Sequence, residues 1–401
     1  MTAIHRLTQA NYGVHFADQT ALVATPLIAA LAFGSGPETI GLLVAAQSSA
    51  HLLGSIPFGI LVDQKQPKTL AILATLILAL GCVLAALSTA GGSATLFGVG
   101  ITLAGFGTVL FGLTTLSILP KVVVPETLAR ANAAIQLPRA LCSFAVPLLV
   151  GVLATRVPAA AILALAGVAA AYAMLNAATF PRFKVDAKPA ASVVTRILEG
   201  GRYAFRHPLL LPITLCSISW NLSFAALLVV LVPAIQHVFR FDPGDFGIAL
   251  SAFGLAAILG SWLSGRVADM VRPSVILLFG PGSSALAAAG LLLIDPETSP
   301  ICLHACFFGL GFGPSMWLVA QNAVRQLVSP PELLGRVNAV IQTAIYGVRP
   351  LGALLGGIVA GAYGPVAGLW LVVIGFALSF AVSVFSDLRR IASYNALRPA
   401  A

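Results

Sequence analysis

The chain has 401 residues, 59% of them hydrophobic and only 9% charged, with 22 Lys and Arg against 13 Asp and Glu for a formal net charge of +9. A soluble domain carries roughly 25% charged residues, so this composition excludes an ordinary water-soluble fold and makes lipid the solvent. A basic excess in a soluble protein would point to nucleic acid, but here the charges are distributed as a membrane distributes them.

Apolar runs recur along the chain, each long enough for the roughly 20 residues that a helix needs to cross a bilayer. In the first half they fall near 9–33, 39–62, 69–88, 94–119, 131–154 and 159–180. The runs are continuous rather than alternating, which excludes a membrane β-barrel. The first span carries Asn11, His15 and Asp18 where a cleavable signal has a clean apolar core, so it is expected to remain as a helix. Residues 182–207 form the one sizeable hydrophilic interruption, with Arg182, Lys184, Lys188, Arg196, Arg202 and Arg206. Within it, Val193 to Phe205 interleaves basic and apolar residues as a helix lying on a membrane surface does; a solvated tether is the alternative. The second half places spans near 208–235, 246–265, 274–294, 300–325, 338–361 and 366–386. The expected fold class is therefore an all-α membrane protein of twelve transmembrane helices. Its expected organisation is a six-helix half over 1–181, a cytoplasmic linker over 182–207 and a second six-helix half over 208–401.

The second half repeats the first without a gap. Pro125 to Gln136 reads PETLARANAAIQ and Pro331 to Gln342 reads PELLGRVNAVIQ, eight of twelve positions being identical at an offset of 206. The same offset pairs Gly41 with Gly247, Gly54 with Gly260, Gly59 with Gly265, Asp63 with Asp269, Gly105 with Gly311, Gly107 with Gly313 and Gly151 with Gly357. Two pseudo-symmetric halves in an apolar chain are the mark of a secondary transporter, with its site where the halves meet.

With both termini cytoplasmic, the basic residues gather in the cytoplasmic loops and tails. Only Arg156 and Arg240 fall on the outer side, and Arg139 and Arg349 fall within predicted spans. Glu38, Asp242, Asp245, Asp295 and Glu297 lie in outer loops, completing a positive-inside pattern that sets the orientation. A bacterial inner membrane is the expected location, with the lipid bilayer rather than nucleic acid as partner. Cys82, Cys142, Cys216, Cys302 and Cys306 all lie in or beside spans and are expected to pack as small apolar residues. Cys302-x-His304-x-Cys306 supplies at most three ligands, so no metal and no cofactor is expected. The sequence contains none of the common hydrolase or nucleotide-binding motifs, so an enzyme is not expected, and transport is driven by an ion gradient or by substrate alone.

The loop Gly59-Ile60-Leu61-Val62-Asp63-Gln64-Lys65-Gln66-Pro67-Lys68 has a Gly-x3-Asp core followed by basic residues. It resembles the signature loop of the major facilitator superfamily, and Gly265 to Arg272 resembles that family's weaker second copy. Arg130-x-Asn132-Ala133 and Arg336-x-Asn338-Ala339 are similar to the efflux branch that includes enterobactin and macrolide exporters. The loop departs from the family at Gln64, where an Arg is usual, and at Gln66, where a Gly is usual. The fourth span has no counterpart of the Arg that many drug–proton antiporters carry there. The resemblance implies a monomeric transporter whose halves rock around a midplane cavity, most readily exporting a small amphipathic molecule in exchange for protons. Uptake or passive movement of a small organic anion is the alternative, and a transporter-fold sensor a further one.

Asp18 is the only acid predicted inside the membrane. Such a group is costly at the helix centre, so it should face the interior and have a partner, and it is the candidate for proton coupling. Arg139 and Arg349 suit a carboxylate-bearing substrate, because guanidinium matches carboxylate geometry; pairing of Arg139 with Asp18 is the alternative. His15, Gln136, Asn221, Trp317, Gln342 and Tyr346, with Asn11, Tyr12, Trp220 and Gln321, are the remaining candidates for the cavity wall. The resemblance further implies that the second span packs beside the eleventh and the eighth beside the fifth. Asp63 and Asp269, set beside Gly59 and Gly265, are then expected to close a cytoplasmic gate. Their expected partners are Arg336 and Asn338 for Asp63, and Arg130 and Asn132 for Asp269, with the helix starts contributing through their dipoles.

Overall fold

A computed structural model describes residues 3–124, 128–182, 193–267 and 270–397. Thirteen α-helices follow in chain order, and no strand occurs among these residues. They are α1 (Ala3–Leu31), α2 (Pro37–Gln64), α3 (Pro67–Ala90), α4 (Ala94–Val122), α5 (Leu128–Ala154), α6 (Ala159–Ala178), α7 (Val193–Arg206), α8 (Leu210–Ala234), α9 (Asp245–Val267), α10 (Pro273–Leu291), α11 (Pro300–Val328), α12 (Pro331–Tyr363) and α13 (Pro365–Phe385). Twelve of them, all but α7, are long and apolar enough to cross a membrane. Six begin with proline, whose missing N–H is no loss in a first turn. Pro26, Pro57, Pro138, Pro147, Pro233 and Pro350 lie within helices, as membrane helices tolerate. The first and eleventh spans start earlier than the apolar pattern indicates, at Ala3 and Pro331, because a helix continues past the hydrocarbon through polar residues.

The chain separates into two compact units, Met1–Pro189 with Asp242–Ser251, and Ala190–Phe241 with Ala252–Ala401. In the first unit α3 packs on α4 and α6, and α1 on α5 and α6. The start of α9 joins this unit through glycine. A Cβ on Gly247 would lie 2.5 Å from Gly151 Cα, and Ser251 Oγ donates to the Phe144 carbonyl at 2.5 Å. In the second unit α8 packs on α12 and α13, and α10 on α11 and α13. Residues 387–397 fold back as two short 3₁₀ turns, burying Leu388 and Ile391 against α10 and α11.

The 206-residue offset recurs in the packing. Gly105 of α4 meets Gln47 and Ala50 of α2, and Gly311 of α11 meets Phe253 and Ala256 of α9, four positions related pairwise by the same offset. Gly54 abuts Phe106 while Gly260 abuts Phe312; Gly107 abuts Ala74 while Gly313 abuts Gly280. Helices in lipid gain little from apolar burial against one another, so close backbone approach at small residues is what binds them. Both units use the same seams.

α7 occupies the stretch for which a surface helix and a tether were the alternatives. It packs on α12: Gly200 lies against the Arg336 backbone, Glu199 pairs with the Arg336 side chain, and Tyr203 Oη donates to the Val328 carbonyl at 2.5 Å.

Candidate functional site

In the first unit the candidate polar residues are carried by α1 and α5. Asn11 is buried and its amide donates to the Leu7 carbonyl at 2.8 Å, so its hydrogen bonding is spent on its own helix. Asp18, about four turns into α1, is half-buried and lies within electrostatic reach of Cys82 on α3 and Cys142 on α5. Cys142 Sγ in turn donates to the Tyr12 carbonyl at 3.9 Å, drawing α5 onto α1. His15 is half-buried and lies within electrostatic reach of Arg139, whose side chain is exposed together with Gln136 one turn before it.

In the second unit the corresponding elements are α8 and α12. Gly352 and Gly356 of α12 seat directly on Leu222 and Ala226 of α8, an approach that any side chain at either glycine would prevent. This contact brings Arg349 to Asn221: Nε donates to Asn221 Oδ1 at 3.0 Å, and the guanidinium carbon lies 5.3 Å from the Tyr346 ring centroid. The Asn221 amide nitrogen donates to the Ser217 carbonyl at 2.9 Å, which holds the oxygen towards the arginine. Trp220 is tied elsewhere. Its indole N–H donates to Ser284 Oγ at 2.9 Å, and its ring stacks on Phe224 with centroids 5.0 Å apart. Gln342 is exposed on α12. The structure places Trp317 in the core of the unit, over Gly280, rather than on an open wall. Gln321 is likewise buried.

His15 and Asn221 are related by the 206 offset, whereas Arg139 and Arg349 miss it by one helical turn. Each unit thus sets a polar side chain from its first span beside an arginine from its fifth. The offset applied to His15 identifies Asn221 as its counterpart, a signal available in the sequence itself.

The gate candidates are placed unit by unit. Asp63 is exposed in the last turn of α2, and Gly59 has open space where a Cβ would go. Gly265 has the same open space near the end of α9; Asp269 lies outside the described residues. Arg130 is exposed and Asn132 half-buried in the first turns of α5. Arg336 pairs with Glu199 of α7, a partner that the sequence reading did not consider. Asn338 Oδ1 is buried and accepts no hydrogen bond from the described residues. Among the described residues no His, Cys, Asp and Glu side chains cluster as metal ligands would. A groove of 470 Å³ between α2 and α4, lined by Leu42, Leu43, Val99, Leu103 and Phe106, holds none of the candidate polar residues.

Twelve candidate membrane-crossing helices, built as two units with one packing scheme and carrying ionisable side chains inside the spans, define a polytopic membrane transport protein. The chain belongs to the Major Facilitator Superfamily, whose family model matches residues 12–353. The enterobactin exporter EntS of Salmonella typhimurium is 30% identical over 374 residues, covering 88% of this chain and 84% of that protein. The enterobactin exporter EntS of Escherichia coli O127:H6 is 26% identical over 367 residues, again covering 88% and 84%. The fold is also that of the peptide transporter POT crystallised with alafosfalin, with a TM-score of 0.80 at 12% identity over 99% of this chain and 96% of that one. The nucleoside transporter NupG superposes with a TM-score of 0.74 at 14% identity, over 99% of both chains.

Proposed function

We propose that this transporter exports a small amphipathic organic molecule, of drug or siderophore-like type, from a bacterial cytoplasm in exchange for protons. It works as a monomer with both termini cytoplasmic, its two units exposing a shared midplane site alternately to each side. The observation that carries the proton coupling is Asp18, a half-buried carboxyl group on α1 within electrostatic reach of Cys82 on α3 and Cys142 on α5. A carboxyl group inside a span that meets each side of the membrane in turn can take up a proton on one side and release it on the other. The direction of transport rests on similarity to the enterobactin exporters. Arg349, aimed by Asn221 and backed by Tyr346, is the substrate contact in the second unit, and Arg139 with Gln136 and His15 its counterpart in the first. Gln342 completes the polar lining. Asp63, exposed at the end of α2, serves the cytoplasmic gate.

A second reading, movement of a small organic anion without proton exchange, is favoured by the two arginines. Everted membrane vesicles separate the two. With an imposed proton gradient and enterobactin as the probe, the first reading expects accumulation in wild type that collapses when the gradient is dissipated. Asp18→Asn abolishes accumulation but preserves exchange of labelled for unlabelled probe. An Asp18→Asn variant that still concentrates the probe refutes the coupling assignment.

A further inference from the structure

Arg325 lies one turn from the end of α11, at the depth where an arginine on a membrane helix extends its head into the interface. Instead it is turned inward, with only 8% of its surface exposed. Among the described residues no carboxylate pairs with it, and the one protein hydrogen bond from its guanidinium runs from Nη2 to Asn322 Oδ1 at 2.5 Å. The same oxygen accepts from Gln321 Nε2 at 2.8 Å, so Asn322 holds both neighbours in place. Arg325 Nε, Gln321 Oε1 and Ser329 Oγ are all buried and make no hydrogen bond among the described residues.

Gln321 and Arg325 share one face of α11, about 6 Å apart along its axis, and Ser329, four residues further on, caps the end of the helix. On the adjoining face Val324 packs with Ile276, Leu277, Leu388 and Ile391, an apolar wall that strengthens any charge interaction made there. A buried charge requires a counter-charge or must neutralise, and arginine cannot release its proton. Arg325 therefore calls for an anion that the described part of the protein does not provide.

We propose that Arg325, positioned by Asn322 and Gln321 and flanked by Ser329, is a binding site for a phosphate-type oxyanion at the membrane-surface end of α11. The guanidinium edge presents parallel N–H groups that match two oxygens of such an anion, and the Ser329 hydroxyl is a third donor. The position at the end of a membrane-crossing helix is level with lipid headgroups, so an anionic phospholipid and free inorganic phosphate are the two sources of the same chemistry. The site is separate from the substrate and proton assignments above and stands or falls without them.

The test uses the purified full-length protein, delipidated in detergent and kept in gluconate buffer. Inorganic phosphate, short-chain phosphatidylglycerol and short-chain phosphatidylcholine are titrated separately, with thermal midpoint and binding of labelled phosphate as readouts. A saturable response to phosphate assigns the free anion; a response to phosphatidylglycerol but not to phosphate or phosphatidylcholine assigns the headgroup. In Arg325→Gln the effective ligand should bind about tenfold more weakly or worse, as loss of a charge-assisted contact implies. Arg325→Lys should retain part of the affinity, since it keeps the charge without the planar fork. Ser329→Ala, a change that leaves the helix intact, should weaken binding several-fold and serves as the reporter if the arginine variants do not fold. No saturable response in wild type, an equal response to phosphatidylcholine, or undiminished affinity in both Arg325→Gln and Ser329→Ala overturns the site.

Discussion

Gly107→Ala places a methyl group 2.6 Å from both the Ala74 carbonyl oxygen and the Leu78 amide nitrogen, and 2.9 Å from Leu78 Cα. Carbon contacts normally settle near 3.5–4.0 Å, and all three obstructing atoms are backbone, so α3 and α4 must part by most of an ångström. Overpacking of this kind costs about 1–3 kcal/mol, against which alanine recovers roughly 0.5–1 kcal/mol through its better helix propensity. The expected net loss is about 0.5–2 kcal/mol by the same two terms. Gly112, on the same helix, has nothing within 4 Å of its missing Cβ, so Gly112→Ala retains only the favourable term. Gly313→Ala falls between them, because the nearest obstruction is the Ser283 hydroxyl, which can rotate away, leaving Ser283 Cβ at 2.9 Å and Gly280 Cα at 3.2 Å. Thermal inactivation in detergent, followed by a fluorescent thiol probe or by loss of monodisperse protein, gives the order of the three variants at one scan rate. Gly107→Ala as stable as wild type, or more stable than Gly112→Ala, would refute the argument that these seams bind the units.

Arg349→Lys should lower substrate affinity by about tenfold or more, the loss expected for a charge-assisted contact that requires a planar donor; unchanged affinity in a well-folded Arg349→Ala removes the residue from the site. Asp63→Asn should raise the reactivity of an Ala133→Cys reporter towards impermeant thiol reagents on the cytoplasmic side, and equal labelling rates with and without the substitution rule out the gate.

The twelve spans were legible because an uninterrupted apolar run has one structural meaning in lipid, and the repeat was legible because its offset carries no gap. Side-chain direction was not. In water a helix declares its buried face by leaving the other polar, but in lipid both faces are apolar, and the pattern that would orient Trp317 or Gln321 is erased. Both were expected on an open wall and both are buried. Asn11 looked like a ligand group, yet its amide is bonded one turn back along α1, a local choice that composition does not reveal. Arg325 sits at the edge of its span and reads in the sequence as a loop charge; only its inward turn distinguishes it. α7 is the informative exception, since a helix at the interface keeps its amphipathic pattern, and the sequence signalled it for that reason. Its Glu199 contact with Arg336 is long-range, joining residues 137 positions apart, and no local pattern encodes it.

The coincidence of glycine seams in the two units has an evolutionary consequence. Duplication supplied two copies of one scaffold, and Gly54, Gly105 and Gly107 still match Gly260, Gly311 and Gly313 after the copies diverged. The ionisable residues inside the spans do not match: Asp18 stands opposite Phe224, Arg139 opposite Ile345 and Arg349 opposite Ser143. Packing seams and in-span charges therefore occupy separate sets of positions, one held in common by the twins and the other private to each. A substitution at a private position of a single copy leaves the shared seams untouched, so both copies stay foldable while the charges inside one of them change.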